Sequence, residues 1–206
     1  MPLSLMRDVA AAALLRAGVL QFGEFTLVSG QPSPYYVDLR RLQSFPREMV
    51  EVANAMVEMM RGQGLSWVDR IAGLPEAAGP LATAISLSTG IPMITPRKQT
   101  KDYGMRAPID GVYEDGQNVW VVDDVITKAK TKLEFIAILE GAGLKVPNVS
   151  VVVDREQGGI LAMLGACHPC DALFTISDLI ELYGQRGAVD GVKLSAVRDY
   201  IASEGN

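Results

Sequence analysis

Two neighbouring carboxylates set the first constraint. The stretch "NVWVVDDVITKAKTK" (118–132) carries an apolar, β-branched run into Asp123 and Asp124, and a short polar segment, Thr127 to Thr131, then opens onto a helical pattern. Carboxylates at a strand end can accept hydrogen bonds from a ribose diol or hold a Mg²⁺ through water. A helix start beside them offers unpaired amides and the positive end of a dipole, which suits a phosphate. The same residues would equally serve an ordinary strand-to-helix turn in which Asp and Thr cap the helix. A second cluster, "PRKQTKDYGMR" (96–106), gathers cations that could grip an anion or simply form an exposed charged loop. A third, "GACHPCDAL" (165–173), places the single histidine, His168, between Cys167 and Cys170. A structural zinc needs four ligands and no second Cys/His pair exists, so this segment is expected to be a turn with small half-buried thiols.

The elements that must carry these residues follow from periodicity. Short apolar runs alternate with longer helical patterns, the signature of a parallel α/β sheet. Strands are expected at 67–73, 91–96, 118–124, 148–154 and 172–177, with helices at about 46–62, 77–89, 131–142 and 156–165. Pro46 suits the first position of a helix, and "TKLE" (Thr131 to Glu134) has capping-box spacing. The first 40 residues read as an amphipathic helix ending at Gly18, then a short β-rich hood. Ser177 is placed as the cap of the C-terminal helical pattern "SDLIELYGQRG", and this helix and the one after it are expected to do nothing but pack. In an open α/β sheet, ligands bind at the carboxyl ends of the strands, where Asp123 and Asp124 lie.

Bulk properties narrow the function. The 206 residues are 49% apolar, enough for a substantial core. The net charge of -5 argues against a nucleic-acid surface, which needs a concentrated basic face. No apolar run reaches the roughly 20 residues that span a bilayer. Arg7 and Asp8 interrupt the N-terminal apolar stretch, so it reads better as an amphipathic helix than as a signal peptide, and the protein is expected to be cytoplasmic.

"DDVIT" after a hydrophobic strand resembles the ribose-phosphate motif of the type I phosphoribosyltransferases. Three further stretches, "FGEFTLVSGQPSPYYVDLR" (22–40), "PRKQTKDYG" (96–104) and "VVVDREQGG" (151–159), resemble one branch of that family, the orotate phosphoribosyltransferases. The four motifs stand in the family's order and spacing. The resemblance implies one domain over 1–206: a type I phosphoribosyltransferase-like parallel sheet flanked by helices (46–180), with a small hood from 1–45 and part of the C-terminus. It implies that Asp123 and Asp124 bind the ribose hydroxyls of phosphoribosyl pyrophosphate (PRPP), and that Thr127, Lys128, Ala129, Lys130 and Thr131 surround its 5′-phosphate. Arg97, Lys98 and Lys101 would bind pyrophosphate, with the turn 73–79 beside them, and Mg²⁺ would enter with PRPP. Lys101, Asp102 and Asp124 would be the catalytic residues. Arg155 would pair with the carboxylate of orotate, with Tyr35, Tyr36 and Tyr103 also at the substrates. The loop 97–111 would be shared across a homodimer interface. Displacing pyrophosphate from C1 builds oxocarbenium character, so the reaction needs a clamp on the leaving charge rather than a nucleophilic side chain.

Four positions depart from the family pattern, each where it touches an anionic or reacting group. Val28 replaces a hood lysine, Gln31 a basic residue and Tyr103 a histidine, and "TKAKT" replaces a glycine-bearing phosphate loop. An alanine held at positive φ at 129 would cost roughly 1 kcal/mol or more. Lys128 and Lys130 could hold a phosphate by charge, or their side chains could fill its pocket. Two readings follow: an active transferase with a remodelled loop, or a protein of the same fold that binds a nucleotide or PRPP without transfer.

Overall fold

The computed structural model describes residues 2–26, 30–98 and 108–204. Helix α1 (Leu3–Arg16) leads into a hairpin of β1 (Leu20–Thr26) and β2 (Pro32–Val37), an antiparallel two-stranded sheet of its own. Then follow α2 (Pro46–Arg61), β3 (Arg70–Gly73), α3 (Gly79–Thr89), β4 (Met93–Pro96), β5 (Ile109–Asp110), β6 (Asn118–Ile126), α4 (Lys130–Gly141), β7 (Lys145–Asp154), α5 (Gly159–Gly165), β8 (Cys170–Thr175), α6 (Ile176–Gln185) and α7 (Gly191–Glu204). Among these residues no helix is long and apolar enough to cross a membrane.

The main sheet runs in the order β5-β4-β3-β6-β7-β8, parallel except for β5 at its edge. Strand β6 lies at its centre because its apolar run is buried on both faces. Trp120 and Val122 point into a cluster with α2, α3 and α6, whereas Val119 and Val121 face Phe135, Ile136 and Leu139 of α4. Each such side chain contributes about 1.5–3 kcal/mol by leaving water. Chain order reverses between β3, which is followed by β4 on one side, and β6 on the other. This switch point opens a crevice at the strand ends, and Gly73 pairs with Val122 directly beneath it. A Cβ on Gly73 would stand 2.6 Å from the Ala82 Cβ, so the absence of a side chain lets α3 sit close against the strand end.

The predicted strands and helices are all present, with shifted ends. Residues 65–67 form a 3₁₀ turn, so β3 begins only at Arg70. Strand β8 stops at Thr175, and the cap of α6 is Thr175 rather than Ser177. Its hydroxyl accepts the Asp178 amide at 3.0 Å while the Asp178 carboxylate accepts the Thr175 amide at 3.2 Å. Ser177 lies inside the first turn and donates its amide to Glu156 at 2.9 Å. The "TKLE" capping box does not form, because α4 begins at Lys130 and Thr131 is already helical; Glu134 pairs with Lys98 instead. The thiols are not both half-buried. Cys167 is exposed in the turn after α5, whereas Cys170 opens β8 and is buried, which pushes its thiol up to about 12.

Candidate active site

Strand β6 runs two residues past the expected end at 124, so Asp123 and Asp124 lie within its paired stretch, each bonded to the backbone that follows it. Asp123 Oδ1 accepts the Asp124 amide at 2.9 Å, and Asp124 Oδ1 accepts the Val125 amide at 2.7 Å. Asp123 is buried and Asp124 half-buried. Burial first, and then the neighbouring Asp123 charge, push the Asp124 carboxyl up to about 7. Facing them is a cation that the motif reading passed over. Lys132, on the first turn of α4, places Nζ 2.7 Å from Asp123 Oδ2 and 2.6 Å from the Val125 carbonyl.

Between Asp124 and α4 the chain makes the tight loop expected to surround a phosphate. Ala129 takes the left-handed conformation (φ 61°) and is 4% exposed, so this backbone does need the geometry that glycine adopts without strain. Lys128 and Lys130 are exposed and do not fill the loop, and Thr131 is exposed beside them. The amides of the first helical turn and the dipole end lie behind the loop. Gly159, the last residue of "DREQGG", closes the loop from below: a Cβ there would meet the Thr127 carbonyl at 2.4 Å and Ile126 Cγ1 at 2.6 Å.

Arg155 stands one residue beyond β7, held beside β6 by its amide donating to the Ile126 carbonyl at 3.0 Å. Its guanidinium lies 5.0 Å over the Tyr35 ring and donates through Nε to the Tyr35 hydroxyl at 3.3 Å. Burial pushes the Tyr35 phenol up, opposed by Arg155. Arg155 Nη2 is buried without a hydrogen-bond partner among the described residues. An unmatched guanidinium nitrogen in such a place calls for an acceptor, and a planar carboxylate meets a guanidinium fork best. Tyr35 is backed edge-on by Tyr200 of α7 at 5.9 Å between ring centroids, so the last helix does more than fill space: it fixes the hood behind Arg155. Tyr36 turns to Phe25 (5.6 Å), and its hydroxyl accepts from Arg40 at 3.4 Å.

Beyond β4 the cations are engaged. Arg97 forms a two-pronged pair with Asp110, and Lys98 Nζ lies 2.9 Å from Glu134 and 5.4 Å over the Phe135 ring. Lys98 holds the Glu134 carboxyl below its usual range. Lys101, Asp102, Tyr103 and Val28 lie outside the described residues. The structure thus brings Asp123, Asp124, Thr127 to Thr131 and Arg155 to the ends of two adjacent strands, while Arg97 is tied to Asp110 of β5 and Lys98 to Glu134 of α4. Among the described residues no three carboxylate, imidazole or thiol groups converge as a metal cage. A Mg²⁺ here would be carried chiefly by phosphate oxygens and water, the mode this ion favours, with the carboxylate pair within reach.

Comparison with known proteins bears on the family and the fold. No protein-family model matches the chain. An orotate phosphoribosyltransferase of Thermococcus gammatolerans is 32% identical over 175 residues, covering 85% of this chain and 92% of that protein. The UMP synthase of Leishmania donovani superposes with a TM-score of 0.86 at 35% identity over 95% of this chain, which spans 42% of that longer one. An orotate phosphoribosyltransferase of Mycobacterium tuberculosis in complex with PRPP superposes with a TM-score of 0.66 at 29% identity, covering 84% of this chain and 98% of that one.

Proposed function

The chain belongs to the orotate phosphoribosyltransferase family, and from that premise we propose that it transfers the phosphoribosyl group of PRPP to orotate, forming orotidine 5′-phosphate and pyrophosphate in pyrimidine nucleotide biosynthesis. The observation that carries this reading is the convergence, at one switch point, of a carboxylate pair, a tight loop at a helix start and a buried arginine with an unmatched nitrogen.

Each part has a task in the reaction. Asp123 and Asp124 accept the ribose hydroxyls and fix the ring. The amides at 127–131, with Lys128 and Lys130 alongside, hold the 5′-phosphate, so C1 is presented at a constant distance from the base side. Arg155, steadied by Tyr35, grips the orotate carboxylate and turns the ring nitrogen toward C1, with Tyr36 on the same hood strand. As the bond from C1 to pyrophosphate lengthens, positive charge grows on the ribose, and the two site carboxylates that hold its hydroxyls would stabilise it. Mg²⁺ bound with PRPP supplies charge neutralisation on the leaving group. Arg97, Lys98 and Lys101 are assigned to pyrophosphate, Lys101 and Asp102 to the catalytic set with Asp124, and Tyr103 to the substrates. Arg97 and Lys98 reach pyrophosphate only if they exchange Asp110 and Glu134 for it, which suits residues that bind at one stage of a cycle and release at another. The loop 97–111 is proposed to be shared across a homodimer, the hood to comprise 1–45 with part of the C-terminus, and the protein to be cytoplasmic. Packing of α7 on β2 supports the composition of the hood.

The binding-only reading gains no support, since the lysines of the loop point outward and Ala129 already has the required backbone conformation. The deciding experiment is pyrophosphate release from PRPP and Mg²⁺ with and without orotate, using Asp124→Asn as the blank. Orotate-dependent release that the substitution removes is expected. Equal release from both, in folded samples, would overturn the proposal.

A further inference from the structure

Lys132 occupies a position where α4 otherwise buries apolar groups. Residues 132, 135, 136 and 139 form one stripe, and the other three are Phe135, Ile136 and Leu139. The Lys132 side chain is only 7% exposed. A buried ammonium is costly unless charge and hydrogen bonds meet it, and here both are supplied. The Val125 carbonyl at 2.6 Å fixes the ammonium from the strand side, and Asp123 Oδ2 at 2.7 Å takes its charge. The other Asp123 oxygen is held by the Asp124 amide at 2.9 Å. Each oxygen of this carboxylate therefore has an internal anchor, and each retains a lone pair for one further donor.

We propose that Lys132 is a positioning residue for the ribose of PRPP: its ammonium, held by the Val125 carbonyl, locks the Asp123 carboxylate in the orientation in which it meets the ribose hydroxyls. This inference rests on the assignment of the crevice to PRPP. Lys132 does not touch the substrate; it acts through Asp123. An apolar residue would fill the stripe at 132 as well, so packing alone does not explain the lysine.

The test is a two-by-two comparison of Lys132→Met, Asp123→Asn and the double variant. PRPP affinity is measured by calorimetry in Mg²⁺, carried to millimolar PRPP, and the orotate KM is measured separately. Lys132→Met is expected to weaken PRPP at least tenfold with the orotate KM unchanged. In the Asp123→Asn background the same change is expected to weaken PRPP less than threefold, because the carboxylate it positions is gone. Equal weakening in both backgrounds, or PRPP affinity within twofold of wild type in folded Lys132→Met, would overturn the role. If Lys132→Met does not fold, Lys132→Gln, a neutral donor to Val125, takes its place under the same criteria. A wild-type chain that does not bind PRPP at all would instead overturn the assignment of the crevice, a result the first titration separates from the rest.

Discussion

Replacing Gly159 by alanine probes how the orotate side of the site supports the phosphate side. The added Cβ would lie 2.4 Å from the Thr127 carbonyl oxygen and 2.6 Å from Ile126 Cγ1, where unstrained carbon contacts need about 3.5 Å. Neither neighbour is a flexible side-chain end: one is backbone and the other sits in the buried core. Helix α5 or the loop must therefore give way by about 1 Å. Overpacking of this kind costs about 1–3 kcal/mol, which for a chain of this length lowers Tm by roughly 2–12 °C. The functional cost, at about 1.4 kcal/mol per tenfold, is comparable to the stability cost. Thr127 begins the segment that surrounds the 5′-phosphate, and a displacement of about 1 Å in a positioning group can reduce turnover by about 10²-fold. The assay is steady-state transfer with varied PRPP and saturating orotate, alongside thermal unfolding. Gly165→Ala is the control: the same helix contains it, and nothing lies within 4 Å of its added Cβ. A folded Gly159→Ala protein with kcat/KM for PRPP within twofold of wild type would refute the idea that this glycine sets the loop.

Other substitutions test separate parts of the site. Ala129→Gly removes left-handed strain of about 1 kcal/mol but loosens the unfolded chain, so Tm should rise by no more than a few degrees while PRPP affinity is kept or improved; a clear loss of stability would show that Ala129 is not strained. Asp124→Asn should lose transfer yet gain stability at pH 8. The Asp124 carboxyl is raised from 3.8 to about 7, so its contribution is fully present below about pH 4 and is lost as pH rises through about 7. At 1.36 kcal/mol per pH unit the gain over wild type is at most about 4 kcal/mol above pH 7 and vanishes near pH 4; Tm values compared at pH 4, 6 and 8 check it, and a gap that does not change with pH would contradict it. Arg155→Lys keeps the charge but loses the planar fork, so the orotate KM should rise roughly 10–100-fold with the PRPP KM unchanged; a parallel rise in both would place Arg155 elsewhere in the reaction.

What the sequence made legible was what short range determines. The apolar run into Asp123 and Asp124 identified a buried strand and the ligand end of the sheet, because burial on two faces leaves few alternatives, whereas its central place in the strand order came only from the structure. Positive φ at Ala129 could be anticipated from the loop it replaces. Lys132 could not, since a lysine on a helix is ordinarily solvated and only the observed stripe with Phe135, Ile136 and Leu139 shows that it points inward. The cap at Thr175 was missed for a related reason. Thr175 and Ser177 are equally good caps in isolation, and the choice between them was made by where pairing of β8 with β7 ends. The role of α7 was hidden because its contact with Tyr35 joins residues far apart in the chain, which no periodicity reports.

That separation bears on the order in which the molecule is assembled. The pair Arg155–Tyr35 spans 120 positions and the bridge Arg7–Asp178 spans 171, whereas the carboxylates and phosphate loop lie within fifteen consecutive residues. Closing long loops is entropically slow. The sugar-phosphate half of the crevice can therefore take shape with the central strands. The half that reads the base must wait for the first forty residues and the last twenty to meet. During synthesis, a chain that has emerged only as far as α5 already carries the ribose site together with Tyr35 and Arg155, but not Tyr200 of α7, which backs them.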